Sequence, residues 1–189
     1  MSRKKRIIIG ITGASGIVYA VRVLEALNQG DFEVHLVMST WAKSTLQLET
    51  DYSLDYVTSL VDVVHHPKDM AASIASGSYL IDAMVIVPCS MKTLAGVAMG
   101  YADNLIARAA DVCLKEKRRL IIVARETPLN EIHLENMLKL ARMGAMIVPP
   151  MVAFYHKPES LDDVINHTVS KVLDSLSIEN ELSPRWKSE

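Results

Sequence analysis

The segment Ala83-Met84-Val85-Ile86-Val87-Pro88-Cys89-Ser90-Met91-Lys92-Thr93-Leu94-Ala95-Gly96 constrains this chain more than any other. An apolar run stops at a proline, small and hydroxylated residues follow, and helical spacing begins. An unalternating apolar run of this length fits a strand buried on both faces. Such a strand delivers a polar loop to the start of a helix. The succession recurs along the chain. Residues 7–12 read as a short buried strand, 13–16 as a turn, and Ile17, Val18, Val21, Leu24 and Leu27 fall on one helical face, which Gly30 closes. Residues 33–38 form a second strand, Ser39-Thr40 follow, and 41–49 look helical. Residues 120–124 lead through Arg125-Glu126-Thr127-Pro128 to a helix capped by Asn130, then a last short strand at 145–148. Strands alternating with helices imply a parallel sheet covered on both faces.

The remaining elements are less regular. Residues 51–80 hold at most a short strand at 61–64, broken by His66-Pro67-Lys68. Residues 91–99 are helical. Asp103 is placed to cap a helix that turns Leu105, Ile106, Ala109, Val112 and Cys113 inward. Ser160 and Asp163 resemble a capping box for a helix burying Leu161, Val164, Ile165, Val169, Val172 and Leu176. The tail Pro184-Arg185-Trp186 carries a tryptophan, which suggests docking on something, such as another subunit.

At 189 residues, half of them hydrophobic, the chain suits one domain over 1–189 with a sizeable aliphatic core. A formal net charge of −2 points to neither nucleic acid nor an anionic membrane. The basic run Arg3-Lys4-Lys5-Arg6 reads as a solvated tail. No apolar run reaches the ~20 residues of a membrane span. Cys89 and Cys113 form no disulfide pattern, so a reducing, cytoplasmic setting is expected. The six histidines do not show metal-ligand spacing, and no metal is expected.

Two loops invite a ligand. Helix starts carry free N–H groups and the positive end of the dipole, and so accept phosphate. Gly10-x-x-Gly13-x-x-Gly16 ends the first strand, but it lacks the G-x-G-x-x-G dinucleotide spacing. The second strand ends in Ser39 rather than the acidic residue that holds an adenosine ribose. A mononucleotide such as FMN therefore fits better than NAD, with a plain tight turn as the alternative. Residues 88–93 offer hydroxyls, amides and Lys92 to a phosphate or a flavin carbonyl edge; the alternative is an ordinary helix cap. Cys89 reads as a small buried thiol rather than a nucleophile. Arg125-Glu126 directly follows a strand, where a cation can bind phosphate and a carboxylate can move a proton. A surface ion pair is the alternative there.

In order, Gly13-Ala14-Ser15-Gly16, Ala75-Ser76-Gly77-Ser78, Pro88-Cys89-Ser90-Met91-Lys92-Thr93-Leu94-Ala95, Asp103-Asn104-Leu105, Arg108-Ala109-Ala110-Asp111, Leu114-Lys115-Glu116, Arg125-Glu126-Thr127-Pro128-Leu129, Ile132-His133-Leu134-Glu135-Asn136-Met137 and Phe154-Tyr155 give the chain a specific likeness. It resembles the UbiX-type flavin prenyltransferases over nearly its whole length. The resemblance implies a Rossmann-like or flavodoxin-like α/β sandwich and a homo-oligomer, a dodecamer. It implies reduced FMN and dimethylallyl monophosphate as substrates. The product would be prenylated FMN, the cofactor of UbiD-type decarboxylases. Carried over by motif, Gly13, Ala14, Ser15, Ser39, Ser90, Met91, Lys92, Thr93 and Arg125 would contact FMN. Ser15 would also lie near the departing phosphate, while Glu126 and Glu49 would be carboxylates beside the reacting flavin. Tyr155 and Lys171 would bind dimethylallyl phosphate, with Arg108 and Lys115 adding positive charge. Lysine at 171 keeps charge but lacks the bidentate fork of an arginine.

Two other readings share the flavin fold. A flavoprotein cysteine decarboxylase would carry an early catalytic histidine and a Pro-Ala-Ser-Ala-Asn-Thr-like loop, where this chain has Pro88-Cys89-Ser90-Met91-Lys92-Thr93. A non-catalytic flavin-delivery subunit would not need Glu126, Tyr155 and Lys171.

Overall fold

The computed structural model describes residues 3–186; residues 1, 2 and 187–189 of the expected 1–189 domain lie outside it. The strands are β1 (Lys5–Ile11), β2 (Phe32–Met38), β3 (Val63–His65), β4 (Ala83–Cys89), β5 (Arg119–Ala124) and β6 (Met146–Ile147). The helices are α1 (Ile17–Asn28), α2 (Thr40–Glu49), α3 (Leu54–Ser59), α4 (Met91–Met99), α5 (Leu105–Lys115), α6 (Glu131–Arg142) and α7 (Leu161–Ser175).

All strand pairs are parallel, in the order β3-β2-β1-β4-β5-β6. This is the 3-2-1-4-5-6 arrangement of a doubly wound sheet. The central strands are buried on both faces because their side chains alternate between two cores. Ile7, Ile9, Ile11, Val85 and Val123 pack with α1 and α7; Ile8, Met84, Ile86 and Ile122 pack with α4 and α5. Ile9 is wholly excluded from water, a burial worth about 1.5–3 kcal/mol for a side chain of this kind.

Chain order reverses between β1 and β4, whose carboxyl ends deliver the two polar loops side by side. In open α/β sheets, a ligand crevice opens at this point.

Several local expectations change. The irregular stretch contains α3, capped by Ser53, and its short strand is β3 at 63–65. A six-residue helix is too short to show periodicity. The N-cap of α5 is Asn104, not Asp103: its Oδ1 accepts from the amides of Ile106 and Ala107 at 3.0 and 3.1 Å. Ser160 and Asp163 do form the capping box of α7, but Leu161 lies exposed at the helix start. The basic run is no solvated tail. Arg3 pairs with Asp82, Lys4 with Asp31 and Arg6 with Glu33, while Lys5 and Arg6 already belong to β1.

Candidate functional site

Thr12 joins the two central loops. Its hydroxyl donates to the Pro88 carbonyl at 2.7 Å and accepts from the Ser90 amide at 2.8 Å. Ser90 caps α4, its Oγ accepting from the Thr93 amide at 3.4 Å and donating to Thr93 Oγ1 at 3.3 Å. Ser39 caps α2 in the same way, accepting from the Ala42 amide at 3.1 Å, and its own amide donates to Ile11. Two helix starts thus meet above β1, β2 and β4. Capping and ligand binding are compatible here, because each cap satisfies one amide and leaves others of the first turn open.

These groups line a cleft of about 620 Å³, within the range of small-molecule sites. Thr12, Gly13, Ser39, Ser90, Lys92 and Thr93 line it together with Pro67, Lys68, Asn104, Ile106 and Ala107. Trp41 and Tyr101 stand at it as large exposed side chains. Gly13 has to be glycine: a Cβ there would sit 2.5 Å from Cβ of Trp41. Gly13 therefore brings bare backbone to the cleft, while Ala14 and Ser15, which continue the loop, do not line it. The donor set suits FMN, with hydroxyls and open amides for its phosphate and ring edge and a lysine for its charge.

The first helix start is different. The N-cap of α1 is Gly16, at φ 98°, which has no side chain to offer. Glu49, at the end of α2, fills the position instead: its Oε2 accepts from the amides of Gly16 at 2.8 Å and Ile17 at 3.4 Å. Burial pushes this carboxyl up. The Ser15 hydroxyl, the two amides and the Arg125 charge outweigh that and hold it below the usual carboxylate range. The glycine loop thus already contains an anion, and the phosphate-ready starts facing the cleft are those of α2 and α4.

Arg125 follows β5, its amide donating to the Cys89 carbonyl at 3.1 Å, and its charge is felt at Glu49 and Tyr19. Glu126 is exposed, with Oε1 accepting from the Thr127 amide at 3.0 Å. Ser15, Glu49, Arg125 and Glu126 lie at the carboxyl edge of the sheet, but neither they nor Ala14 and Met91 line the cleft. Met91 opens α4, half-buried against the second core. Cys89 is fully buried, and burial pushes its thiol up to about 12, so it is inert as a nucleophile.

Tyr155 lies in the irregular segment before α7. Its ring makes edge contacts with His156, His167 and Trp186 at 5.3, 5.6 and 5.4 Å, so the tail, expected to dock on something such as another subunit, rests here on its own chain. Arg185 grips Asp174 and Ser183 meets His167 Nδ1 at 3.2 Å, pinning the tail to α7. Lys171 is exposed on α7, in a shallow groove with Pro149, Met151 and Asp174. Neither Tyr155 nor Lys171 lines the 620 Å³ cleft.

Arg108 and Lys115 do not reach that cleft within their own chain. Arg108 pairs with Asp111 at 2.8 Å, one turn on, and donates to the Ala75 carbonyl at 3.0 Å. Lys115 pairs with Glu116 beside Gly77. It lies ten residues beyond Leu105, about 15 Å down α5 from the end that lines the cleft.

Residue-by-residue reading missed Lys68, Asn104 and Trp41 as cleft residues, and the capping of α1 by Glu49. For Asn104 the signal existed, since asparagine is a strong N-cap. For the others the contacts are long-range and leave no local pattern. Among the described residues, no three metal-ligating side chains gather, and no helix is long and apolar enough to cross a membrane.

Comparison with known proteins agrees with this geometry. The model of the Flavoprotein family matches residues 1–173. The chain is 59% identical over 186 residues to the flavin prenyltransferase LpdB of Lactiplantibacillus plantarum, covering 98% of this chain and 100% of that one. The crystal structure of AnUbiX (PadA1) in complex with FMN and dimethylallyl pyrophosphate superposes with a TM-score of 0.96 at 50% identity, covering 99% and 100% of the two chains. A dodecameric FMN-dependent UbiX-like decarboxylase from Escherichia coli O157:H7 gives 0.95 at 53% identity, covering 97% and 100%.

Proposed function

We propose that this chain, which belongs to the flavoprotein family and within it to the UbiX-like flavin prenyltransferases, joins a dimethylallyl group to reduced FMN. The allylic C–O bond of dimethylallyl monophosphate breaks as phosphate leaves, and the allyl carbon bonds to flavin N5, which gives up its proton. Protonation of the remaining alkene then lets its tertiary carbon bond to C6, which loses its hydrogen as a proton. The observation that carries this reading is the flavin-sized cleft, lined by hydroxyls and two helix starts, in a chain 59% identical to LpdB. AnUbiX holds the pyrophosphate ester; the monophosphate is our proposal for this chain.

The chain's residues divide the work by position. Gly13, Ala14 and Ser15 present backbone to the flavin, while Ser39 and the 90–93 turn hold it through hydroxyls and amides. Arg125 adds a cation at the end of β5. Glu126, exposed at the same edge, transfers a proton beside the flavin. Glu49, kept ionised by its amide bonds, stabilises positive charge developing on the allyl fragment. Ser15, which donates to Glu49, lies near the leaving phosphate. Tyr155 and Lys171 hold the prenyl phosphate.

Those two residues lie outside the cleft, and Arg108 and Lys115 lie farther still. A site gathering all of them is assembled between subunits, with Arg108 and Lys115 supplied by a neighbour. The exposed apolar side chains Trp41, Met99, Tyr101 and Phe154 support a homo-oligomer, for which we propose a dodecamer. The whole chain, 1–189, acts as one domain. Two unbridged cysteines suit a cytoplasmic setting.

The product serves a UbiD-type decarboxylase. Flavin released from an anaerobic reaction of the protein with reduced FMN and dimethylallyl monophosphate restores decarboxylation to a flavin-free enzyme of that type. Restoration by untreated FMN alone would remove the link.

A further inference from the structure

We propose that Lys68 is a ligand of the FMN 5′-phosphate in the cleft that it shares with the two serine-capped helix starts. The inference rests on the FMN reading of the cleft and names a contact within it.

Residues 66–72 have no regular structure, yet one bond ties their backbone to α5 and others brace it internally. The Leu105 amide donates to the Pro67 carbonyl at 2.8 Å, tying the loop to the first turn of α5. The Lys68 amide donates to His66 Nδ1 at 3.2 Å, Asp69 donates back to the His66 carbonyl at 2.9 Å, and the Ala71 amide donates to Asp69 Oδ1 at 3.1 Å. The backbone of Lys68 is thus held to α5, and the residue lines the cleft.

Charge supports the assignment. Among the described residues no ion pair holds Lys68 or Lys92, and both are exposed. The charged residues lining the cleft are Lys68, Lys92 and Asp103, and Asp103 accepts from Asn104 Nδ2 at 2.6 Å. A phosphomonoester carries about −1.5 to −2 charge at neutral pH. Lys92, on the first turn of α4, offsets part of it, and Lys68, on the loop tied to α5, offsets the rest.

Two phosphate esters could meet this lysine. FMN fits better, because Lys68 shares its cleft with Ser39, Ser90 and Thr93, whereas Tyr155 and Lys171, assigned to the prenyl phosphate, lie outside it.

The test titrates flavin-free wild type, Lys68→Ala and Lys68→Arg with FMN and with riboflavin, which lacks the phosphate. Lys68→Ala weakens FMN about ten- to hundredfold, as loss of a charge-assisted hydrogen bond does, and leaves riboflavin binding unchanged. Lys68→Arg retains most FMN affinity. Unchanged FMN affinity in Lys68→Ala overturns the assignment, as does equal weakening of both flavins, which marks a structural role. A raised KM for dimethylallyl phosphate with FMN affinity unchanged assigns Lys68 to the other ester and also overturns it. Wild type that binds neither flavin refutes the flavin reading itself.

Discussion

Glu49 performs two tasks that a pair of substitutions separates. It caps α1 from the end of α2, because Gly16 cannot. Glu49→Ala leaves the Gly16 and Ile17 amides without an acceptor and removes an anion from a helix N-terminus. Loss of a side-chain N-cap costs about 0.5–2 kcal/mol, and the dipole interaction adds about 0.3–1 kcal/mol. One bond is good at 2.8 Å and the other long at 3.4 Å, and the carboxylate is partly solvated, so the lower halves apply. The expected loss is about 1–2 kcal/mol, or about 3–6 °C in Tm for a chain of this size. Glu49→Gln keeps a carbonyl acceptor and loses about half as much. Thermal unfolding at fixed protein concentration, followed across pH, reads both. The folded-state pKa of Glu49 is depressed, so its contribution is complete above the ordinary glutamate value of 4.5 and disappears as pH falls through the lower folded value. The wild-type advantage over Glu49→Ala is therefore constant near neutrality and closes in acid. Equal Tm values at pH 7, or an advantage that grows on acidification, would refute the capping argument.

Other perturbations follow from the same geometry. Gly13→Ala drives a Cβ against the first turn of α2, where the obstructing atom is Trp41 Cβ rather than a flexible tip. About 1–3 kcal/mol of strain is expected, along with loss of FMN uptake in a flavin titration; normal uptake would show that α2 yields easily. Glu126→Gln leaves FMN bound and slows prenylated flavin formation, read by product release over time. Wild-type turnover in that variant would remove Glu126 from proton transfer.

The sheet was readable because strands buried on both faces leave continuous apolar runs, as at 83–87 and 120–124. Their order in space was not, since nothing local records that β1 lies between β2 and β4. The caps at Asn130 and Ser160 were legible in the sequence, whereas Asp103 and Asn104 are adjacent and chemically similar, and only geometry chose between them. The basic run at 3–6 looked solvated because its partners Asp31, Glu33 and Asp82 come from other strands and loops. The Arg108–Asp111 pair has the i,i+3 spacing of a helix and could have been anticipated. Likeness to a family supplied residue roles, but it could not show that the cations of α5 point away from the cleft in their own chain.

The account stands most directly on the mass of the flavin. The protein, reduced FMN and dimethylallyl monophosphate are incubated without oxygen, and the flavin is extracted and weighed by mass spectrometry. The extracted flavin is expected to be heavier by one dimethylallyl unit, formed with one phosphate released. Recovery of unmodified FMN, from protein shown to bind it and with either the monophosphate or the diphosphate as donor, would contradict it.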